Sequence, residues 1–369
     1  MSATPRRRLS PTRRTFLAGA AAAAGATVLG APTAGAAGSV TAAAAALSTN
    51  VHIFYYPWYG SPKVYGSWRH WQQGNLTPPN AVSSDFYPKL GAYDSGDRAG
   101  AVDQHMRWMR AAGTGVLVTS WWGRGSYEES LSRVVLDAAA AAGLKVAWHI
   151  EPYGGRTAAS VADDVRYLVN TYGGHPAYYR DAAHGNRNAF YVFQSLNIPD
   201  WTAIEAVKSL GIVLTQTTDT SKAAHFGGMY TYDGIAAASL PNWSGVDRFC
   251  TANGLVWSPS FGPGYIDDRA VPGNTTPTVG RANGTTYDRV WQHTLTSGAT
   301  GRPPTWVSIT SFNEWHEGSQ IEPASATPPS VLPYQTYNGA YGKTGAAAET
   351  AYIERTQYWV QQYVAQRPA

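Results

Sequence analysis

Eight short apolar runs, strung along most of the chain, constrain its fold more than any other feature. They are "VHIFYY" (51–56), "GVLVTS" (115–120), "KVAWHI" (145–150), "AFYVFQ" (189–194), "GIVLTQ" (211–216), "GGMYTY" (227–232), "GLVWS" (254–258) and "WVSITSF" (306–312). Most are rich in β-branched and aromatic residues and lack polar alternation, as strands buried on both faces should. Helical patterns lie between and after them. "RAGAVDQHMRWMRAAG" (98–113), "EESLSRVVLDAAAAAGL" (128–144) and "TAASVADDVRYLVNTYGG" (157–174) run to a glycine, a helix stop signal, and "TYDRVWQHTLTSG" (286–298) is similar. A last helix is expected over "AAAETAYIERTQYWVQQYVAQ" (346–366). No Pro- or Ser-rich linker divides the series. The pattern therefore predicts a single (β/α)8 TIM barrel, an α/β fold with its active site at the C-terminal ends of the strands. An open doubly wound sheet would want a glycine-rich phosphate loop after its first strand, and "YYPWYG" (55–60) is not one.

The N-terminus lies outside this scheme. "RRRLSPTRRTFLAGAAAAAGATVLGAPTAGAAG" has a basic start, an Ala-rich apolar stretch and small residues at its end, the layout of a secretory signal. Arg13-Arg14 followed by Thr15, Phe16 and Leu17 resembles the twin-arginine type. The expected division is a signal peptide over 1–36, a flexible Ala-rich tail over 37–49 and a catalytic domain over 50–369. Removing 1–36, with five arginines and no acid, takes the formal charge from +4 to −1. The basic pI thus belongs to the leader, and no nucleic-acid partner is implied. Cys250 is the single cysteine, so no intrachain disulfide is available and core packing must supply the stability. No uninterrupted apolar stretch after residue 36 is long enough to span a bilayer, so no stable membrane association is expected once the signal is removed. The expected location is extracellular, by export of the folded chain. Nothing in the sequence indicates an oligomeric state.

At the expected strand ends the residue types change. The eighth run leads at once into Asn313, Glu314, Trp315, His316 and Glu317. The first leads into Tyr55, Tyr56 and Trp58, and the third into His149, Glu151 and Tyr153. After the sixth come Tyr230, Tyr232 and Asp233, and the "GPGYID" turn beyond the seventh presents Tyr265 and Asp267. The second ends in Trp121-Trp122, adjacent residues that must point to opposite sides, one to the core and one to the site. Each has a plainer reading. Glutamates three apart are on most chains a solvated helix face, but Glu314 and Glu317 follow a buried strand with Trp and His between them. Glu151 can equally cap or ion-pair, His149 and His316 can be structural histidines, and the tyrosines of "YYPWYG" can be core.

With 14 Trp and 23 Tyr against 14% charged residues, the chain has the aromatic faces on which sugar rings stack. Glycosidic cleavage requires two carboxyl groups whose pKa values are pushed apart, and Glu314 and Glu317 supply such a pair. His149/Glu151 with Glu314/His316/Glu317 could instead hold a metal, yet no H-E-x-x-H and no Cys- or Asp-rich cluster accompanies them, so no metal or other cofactor is expected. A serine hydrolase would want G-x-S-x-G, which is absent. A non-catalytic sugar-binding protein would need the aromatics but not two convergent glutamates, and a barrel glycosidase acting on another α-glycan is the remaining alternative.

"YYPWYG" (55–60), "HIEPY" (149–153), "GPGYID" (262–267) and "SITSFNEWHEGSQIEP" (308–323) resemble, in order, the signatures of glycoside hydrolase family 99, the endo-α-1,2-mannosidases and endo-α-1,2-mannanases. "YGGHPAYYR" (172–180) and "YTYDG" (230–234) are lesser similarities between them. The resemblance implies a (β/α)8 barrel and retaining endo-cleavage of α-mannan or mannose-containing oligosaccharides without a cofactor. It casts Glu314 as a base on the sugar's own 2-hydroxyl, giving a 1,2-anhydro sugar. Glu317 then serves as acid to the leaving group and as base to water. Such a route suits two carboxylates too close in sequence to flank a sugar from opposite faces. It further implies that His149 and Glu151 bind substrate hydroxyls and that Tyr232 and Tyr265 stand beside the reacting ring. Trp122 would line the −2 subsite, where Trp leans toward mannose and Tyr toward glucose. Tyr55, Tyr56, Trp58, Tyr153, Asn313, Trp315 and His316 complete the expected substrate-binding set. Segments 61–97 and 324–345 have no counterpart in this resemblance.

Overall fold

The computed structural model of the protein describes residues 47–73, 75–232 and 239–367. The expected signal (1–36), residues 37–46 of the expected tail, and Asp233 fall outside these ranges. Nine strands form one parallel sheet: β1 (Ser48–Tyr55), β2 (Thr114–Trp121), β3 (Lys145–Ile150), β4 (Asn188–Val192), β5 (Gly211–Gln216), β6 (Gly228–Tyr230), β7 (Val256–Ser258), β8 (Ser260–Phe261) and β9 (Val307–Ile309). Their order is β7-β6-β5-β4-β3-β2-β1-β9-β8. The two ends of that order are consecutive in the chain, so the sheet runs round into a barrel. The expected seventh strand (254–258) appears as β7, and Pro259 separates it from β8, which lies beyond that run. Lacking an N–H, Pro259 cannot donate to the ladder. The residues before it pair with β6 and those after it with β9, while the Pro259 carbonyl accepts from Ser308 N at 2.9 Å.

β1 begins earlier than expected: Ser48 pairs with Thr114 of β2, so residues 48 and 49 belong to the barrel and not to a tail. Side chains alternate cleanly along each strand. On β1, Val51, Ile53 and Tyr55 face the surrounding helices while Phe54 and Tyr56 face the barrel interior. Interior positions on other strands include Val116, Ala147, Ala189, Tyr191, Leu214 and Tyr230. This two-sided burial explains why the runs are apolar without alternation.

The helices are α1 (Asp103–Ala111), α2 (Tyr127–Ser130), α3 (Ser132–Ala141), α4 (Ala158–Tyr172), α5 (Trp243–Ala252), α6 (Thr285–Thr294) and α7 (Ala351–Gln366). A π-helical turn, Arg98–Val102, leads into α1. Thr157 caps α4 in a reciprocal box, its Oγ1 accepting from Ser160 N and Ser160 Oγ from Thr157 N. Two departures from strict alternation stand out. The β4–β5 and β5–β6 connections contain only 3-10 turns (Ser195–Asn197, Thr202–Val207 and Thr220–Lys222), and α5 arises from a stretch with no clear helical pattern. Among the described residues no helix is long and apolar enough to cross a membrane.

Candidate active site

At the C-terminal ends of the strands the interior-facing residues are polar and aromatic, and a mouth forms there. Its base is the turn after β9. Asn313 is fully buried, and its side-chain amide is spent on the scaffold. Its Oδ1 accepts from Tyr56 N at 2.7 Å, and its Nδ2 donates to Tyr56 O (2.9 Å) and Tyr93 Oη (3.2 Å). Tyr59 Oη donates to the Asn313 carbonyl at 2.9 Å. This clamp ties the β9 turn to the end of β1. Glu314 follows, 2% exposed, its N–H donating to Ser311 Oγ at 2.8 Å. A 3-10 turn (Trp315–Glu317) then carries His316 and Glu317, and the Glu317 carbonyl accepts from Ile266 N at 2.8 Å. Gly318 ends the turn at φ 57°, where a Cβ would stand 2.5 Å from Ile266 Cγ2. Only glycine fits both the backbone and the space.

Tyr265 reaches the same place from the loop after β8. Burial first, and then the negative charges of Glu317, Asp267 and Glu314, hold its hydroxyl well above the usual tyrosine pKa, so it stays a donor. That hydroxyl donates to Asp267 Oδ2 at 3.1 Å. Burial likewise raises the Asp267 carboxyl. His316 is pushed down to about 4 by burial and is therefore a neutral imidazole near neutral pH. Its Nδ1 lies 3.1 Å from Gln73 Nε2.

Across the mouth, β1, β2, β3 and the end of β6 build a second cluster. His149 and Glu151, two residues apart and both fully buried, face the same side of β3 and its extension, with His149 Nδ1 3.2 Å from Glu151 Oε1. Glu151 Oε1 accepts from Ser120 Oγ at 2.8 Å, and Ser120 Oγ accepts from Trp58 Nε1 at 2.8 Å. The His149 ring stacks on Tyr232 (centroids 5.5 Å, planes at 18°), and Tyr56 Oη donates to Tyr232 Oη at 2.5 Å. Trp121 is fully buried on the helix side, whereas Trp122 is half-buried beside Trp58, their rings 6.3 Å apart. Adjacency on a strand has sent the two indoles to opposite sides.

A mouth with two glutamates on one turn, a protonated phenol, a second buried carboxylate and a rim of indoles and phenols is equipped for proton transfer at a polyhydroxylated substrate. Residues 46–365 match glycosyl hydrolase family 99. The chain belongs to that family. It is 35% identical over 363 residues to a human glycoprotein endo-alpha-1,2-mannosidase-like protein, an overlap covering 86% of this chain and 77% of the human one. It is 33% identical over 361 residues to mouse glycoprotein endo-alpha-1,2-mannosidase, covering 86% and 75%. The structure of a family 99 endo-alpha-mannosidase from Bacteroides thetaiotaomicron superposes with a TM-score of 0.76 at 33% identity, over 88% of this chain and all of that one. The protein is thus a family 99 glycoside hydrolase with the family's barrel.

Within this family 99 barrel, the structure draws Tyr56, Trp58, Trp122, His149, Glu151, Tyr232, Tyr265, Glu314, His316 and Glu317 to the mouth. Three expected substrate-binding residues lie elsewhere. Tyr55 points away from the barrel interior, its hydroxyl 3.2 Å from His105 Nδ1, because it alternates with Phe54 and Tyr56 along β1. Tyr153 bonds the start of α4, through Ser160 Oγ at 2.7 Å and the Asp164 carboxylate. Trp315 is fully buried behind the turn, where its Nε1 donates to Glu322 at 2.8 Å. Asn313 sits at the site but is committed to holding it together. Conversely, His70 and Gln73, from the unassigned segment 61–97, reach the mouth. His70 takes a left-handed backbone (φ 65°), and its ring stacks on His316 with centroids 4.5 Å apart. The signal available for them was the aromatic and polar run "WRHWQQ" soon after β1. His70, Glu314 and His316 are also the one group among the described residues whose side-chain atoms lie close enough together to hold a metal ion.

Proposed function

We propose that the protein is an exported, endo-acting α-mannoside hydrolase that cleaves internal α-1,2-mannosidic linkages, with retention, in α-mannan or the mannose chains of N-glycans. The observation that carries this reading is the shared turn of Glu314 and Glu317 beneath Tyr265, in a chain whose relatives are named for endo-alpha-1,2-mannosidase activity. The N-terminal pattern of paired arginines, Ala-rich stretch and small residues supports export.

Glu314 is the base that takes the proton of the substrate's 2-hydroxyl. That oxygen attacks the anomeric carbon and forms a 1,2-anhydro sugar, and the leaving oxygen takes a proton from Glu317. Glu317, now ionised, removes a proton from water, which opens the three-membered ring at the anomeric carbon while Glu314 returns its proton to the 2-oxygen, and the net configuration is again α. Burial is uneven across the pair: Glu314 is 2% exposed, and Glu317 is more open to solvent. A water nucleophile can reach the second carboxyl more readily than the first. Tyr265, kept protonated, is a donor beside both. Glu151 and His149, bonded into the wall through Ser120 and Tyr230, are the polar groups that wall presents to sugar hydroxyls, and Trp122 with Trp58 forms the platform for the −2 ring.

Product analysis tests the proposal. The purified protein is incubated with an α-1,2-linked mannotetraose and with yeast mannan, and products are followed by NMR and chromatography. Release of disaccharide or longer fragments, with α configuration at first appearance, is the expected result. Release of β-configured product, or of mannose alone from chain ends, would overturn it.

A further inference from the structure

We propose that His70, Glu314 and His316 form a binding site for one borderline divalent transition-metal ion, such as Zn2+, and that filling it switches the enzyme off. The proposal rests on the reading above only in giving Glu314 a reacting role. The binding itself stands on geometry.

One side-chain donor atom from each of the three residues lies within 4.8 Å of the other two. Two imidazoles and one carboxylate are the donor set of open zinc sites, with a position left for water or a substrate hydroxyl. The same set disfavours Mg2+ and Ca2+, which want oxygen ligands. Zinc bonds of about 2.0–2.1 Å place tetrahedral donors roughly 3.3 Å apart, so any pair standing near the 4.8 Å limit must close on the ion. The near-parallel imidazoles, with planes at 28°, also need one ring to turn before both lone pairs converge.

The two histidines are suited to different parts in that adjustment. His70 is half-buried on a loop, held at φ 65° with Trp58 and Tyr59 edge-on to its ring at 4.6 and 5.4 Å. It is the ligand that moves. His316 is the fixed one, 7% exposed in its 3-10 turn, and its Nε2 is a buried nitrogen with no hydrogen-bond partner among the described residues. Its Nδ1 faces the Gln73 amide at 3.1 Å. With the amide nitrogen donating, the imidazole proton resides on Nε2. If the Gln73 amide turns over, its oxygen accepts a proton from Nδ1 at the same heavy-atom position, and the Nε2 lone pair becomes available. A ligating histidine in such sites ordinarily donates its other ring N–H to an outer oxygen that fixes the tautomer, and the turned Gln73 amide oxygen would serve as that acceptor. A bound ion would take the Glu314 carboxylate as a ligand and remove it as a base, so occupation and turnover exclude each other. Metal-free enzyme would be active and unaffected by EDTA.

The test uses protein purified without a polyhistidine tag and stripped with EDTA. ZnCl2 is titrated calorimetrically, CoCl2 is followed by its visible absorption, and mannan cleavage is measured at each ZnCl2 concentration. One equivalent of tight binding is expected, with activity falling as the site fills and returning on addition of EDTA. His70→Ala and Gln73→Ala, both at half-buried positions and checked for folding by circular dichroism, should each weaken binding by about tenfold or more. MgCl2 and CaCl2 should do nothing. Absence of stoichiometric binding, or equal affinity in His70→Ala, overturns the site and assigns any metal to surface pairs such as His184–Asp181. Full activity with the site saturated overturns the switch. An enzyme that cleaves no α-mannoside would defeat the proposed reaction, while the two titrations would still decide the metal site.

Discussion

Glu322 Oε2 accepts the indole N–H of Trp315 at 2.8 Å, and both residues are completely buried behind the turn that carries Glu314 and Glu317. The same oxygen accepts from Tyr93 Oη at 2.9 Å, and Glu322 Oε1 lies 3.2 Å from His105 Nε2. Tyr93 in turn receives the Asn313 amide. The turn that carries Glu314 and Glu317 is therefore backed by a buried polar network in which Glu322 is the common acceptor. Replacing Glu322 by Gln puts an amide N–H where an acceptor is needed and leaves a buried donor facing another. Breaking one partner of such a set costs about 3 kcal/mol. Urea unfolding of Glu322→Gln should show a loss of that order.

Glu314→Gln and Glu317→Gln should each lower mannan turnover by at least about a hundredfold, the low end of what a positioned acid or base contributes. Oligosaccharide binding by calorimetry should survive in both, since the amide keeps the size of the side chain. Substantial residual turnover in either variant would mean the wrong carboxylate has been given the role.

With the half-buried indole in its proposed role as a platform for the bound ring and not as a proton carrier, Trp122→Ala should cut kcat/KM by about tenfold, chiefly through KM. Trp122→Tyr should narrow the preference for mannose over glucose at the −2 position. Both effects are read from initial rates on paired substrates that differ in that one sugar.

Gly318→Ala joins a strained backbone at φ 57° to a Cβ 2.5 Å from Ile266 Cγ2 and 2.9 Å from the Ile266 carbonyl oxygen. The turn must shift, and Glu317 moves with it. The expected outcome is a lower melting temperature together with a fall in kcat that exceeds any change in KM.

His52 carries the clearest pH dependence of stability. Sealed in the barrel interior, its Nε2–H donates to Thr49 O at 3.1 Å and its Nδ1 accepts from Tyr191 Oη at 2.7 Å, an arrangement suited to the neutral ring. Burial lowers its pKa from 6.5 to about 3. The unfolded chain takes up this proton near pH 6.5, and the folded chain resists until about 3. Stability is therefore whole above pH 6.5 and declines as the pH falls toward 3, by about 1.4 kcal/mol per unit. Urea midpoints measured from pH 7 to 4 should fall more steeply for the wild type than for His52→Gln.

The sequence by itself determined the barrel, because a strand buried on both faces must be apolar throughout, and a chain that alternates such runs with helical patterns has few ways to bury them all. It also determined where Asn313, Glu314 and Glu317 would be: a barrel strand running straight into them puts them at its C-terminal mouth. Alternation along a strand separated Trp121 from Trp122 in the same way. Tyr55 was open to the same argument, since it stands one residue from Tyr56 and must face the other side.

Other features depended on contacts between residues far apart in the chain. β8 follows β7 across Pro259 because β7 pairs with β6 and β8 with β9, and no local pattern says which neighbours a strand will have. Trp315 and Asn313 read as site residues, but Glu322, Tyr93 and Tyr56 claim their polar atoms. His70 and Gln73 lie in a segment with no periodicity and reach the mouth only because the loop after β1 folds back over it. Local pattern reports burial and direction for residues on regular elements. Which loop covers the mouth, and which polar atoms are already spent, is set by hydrogen bonds and packing that exist only once the barrel has closed.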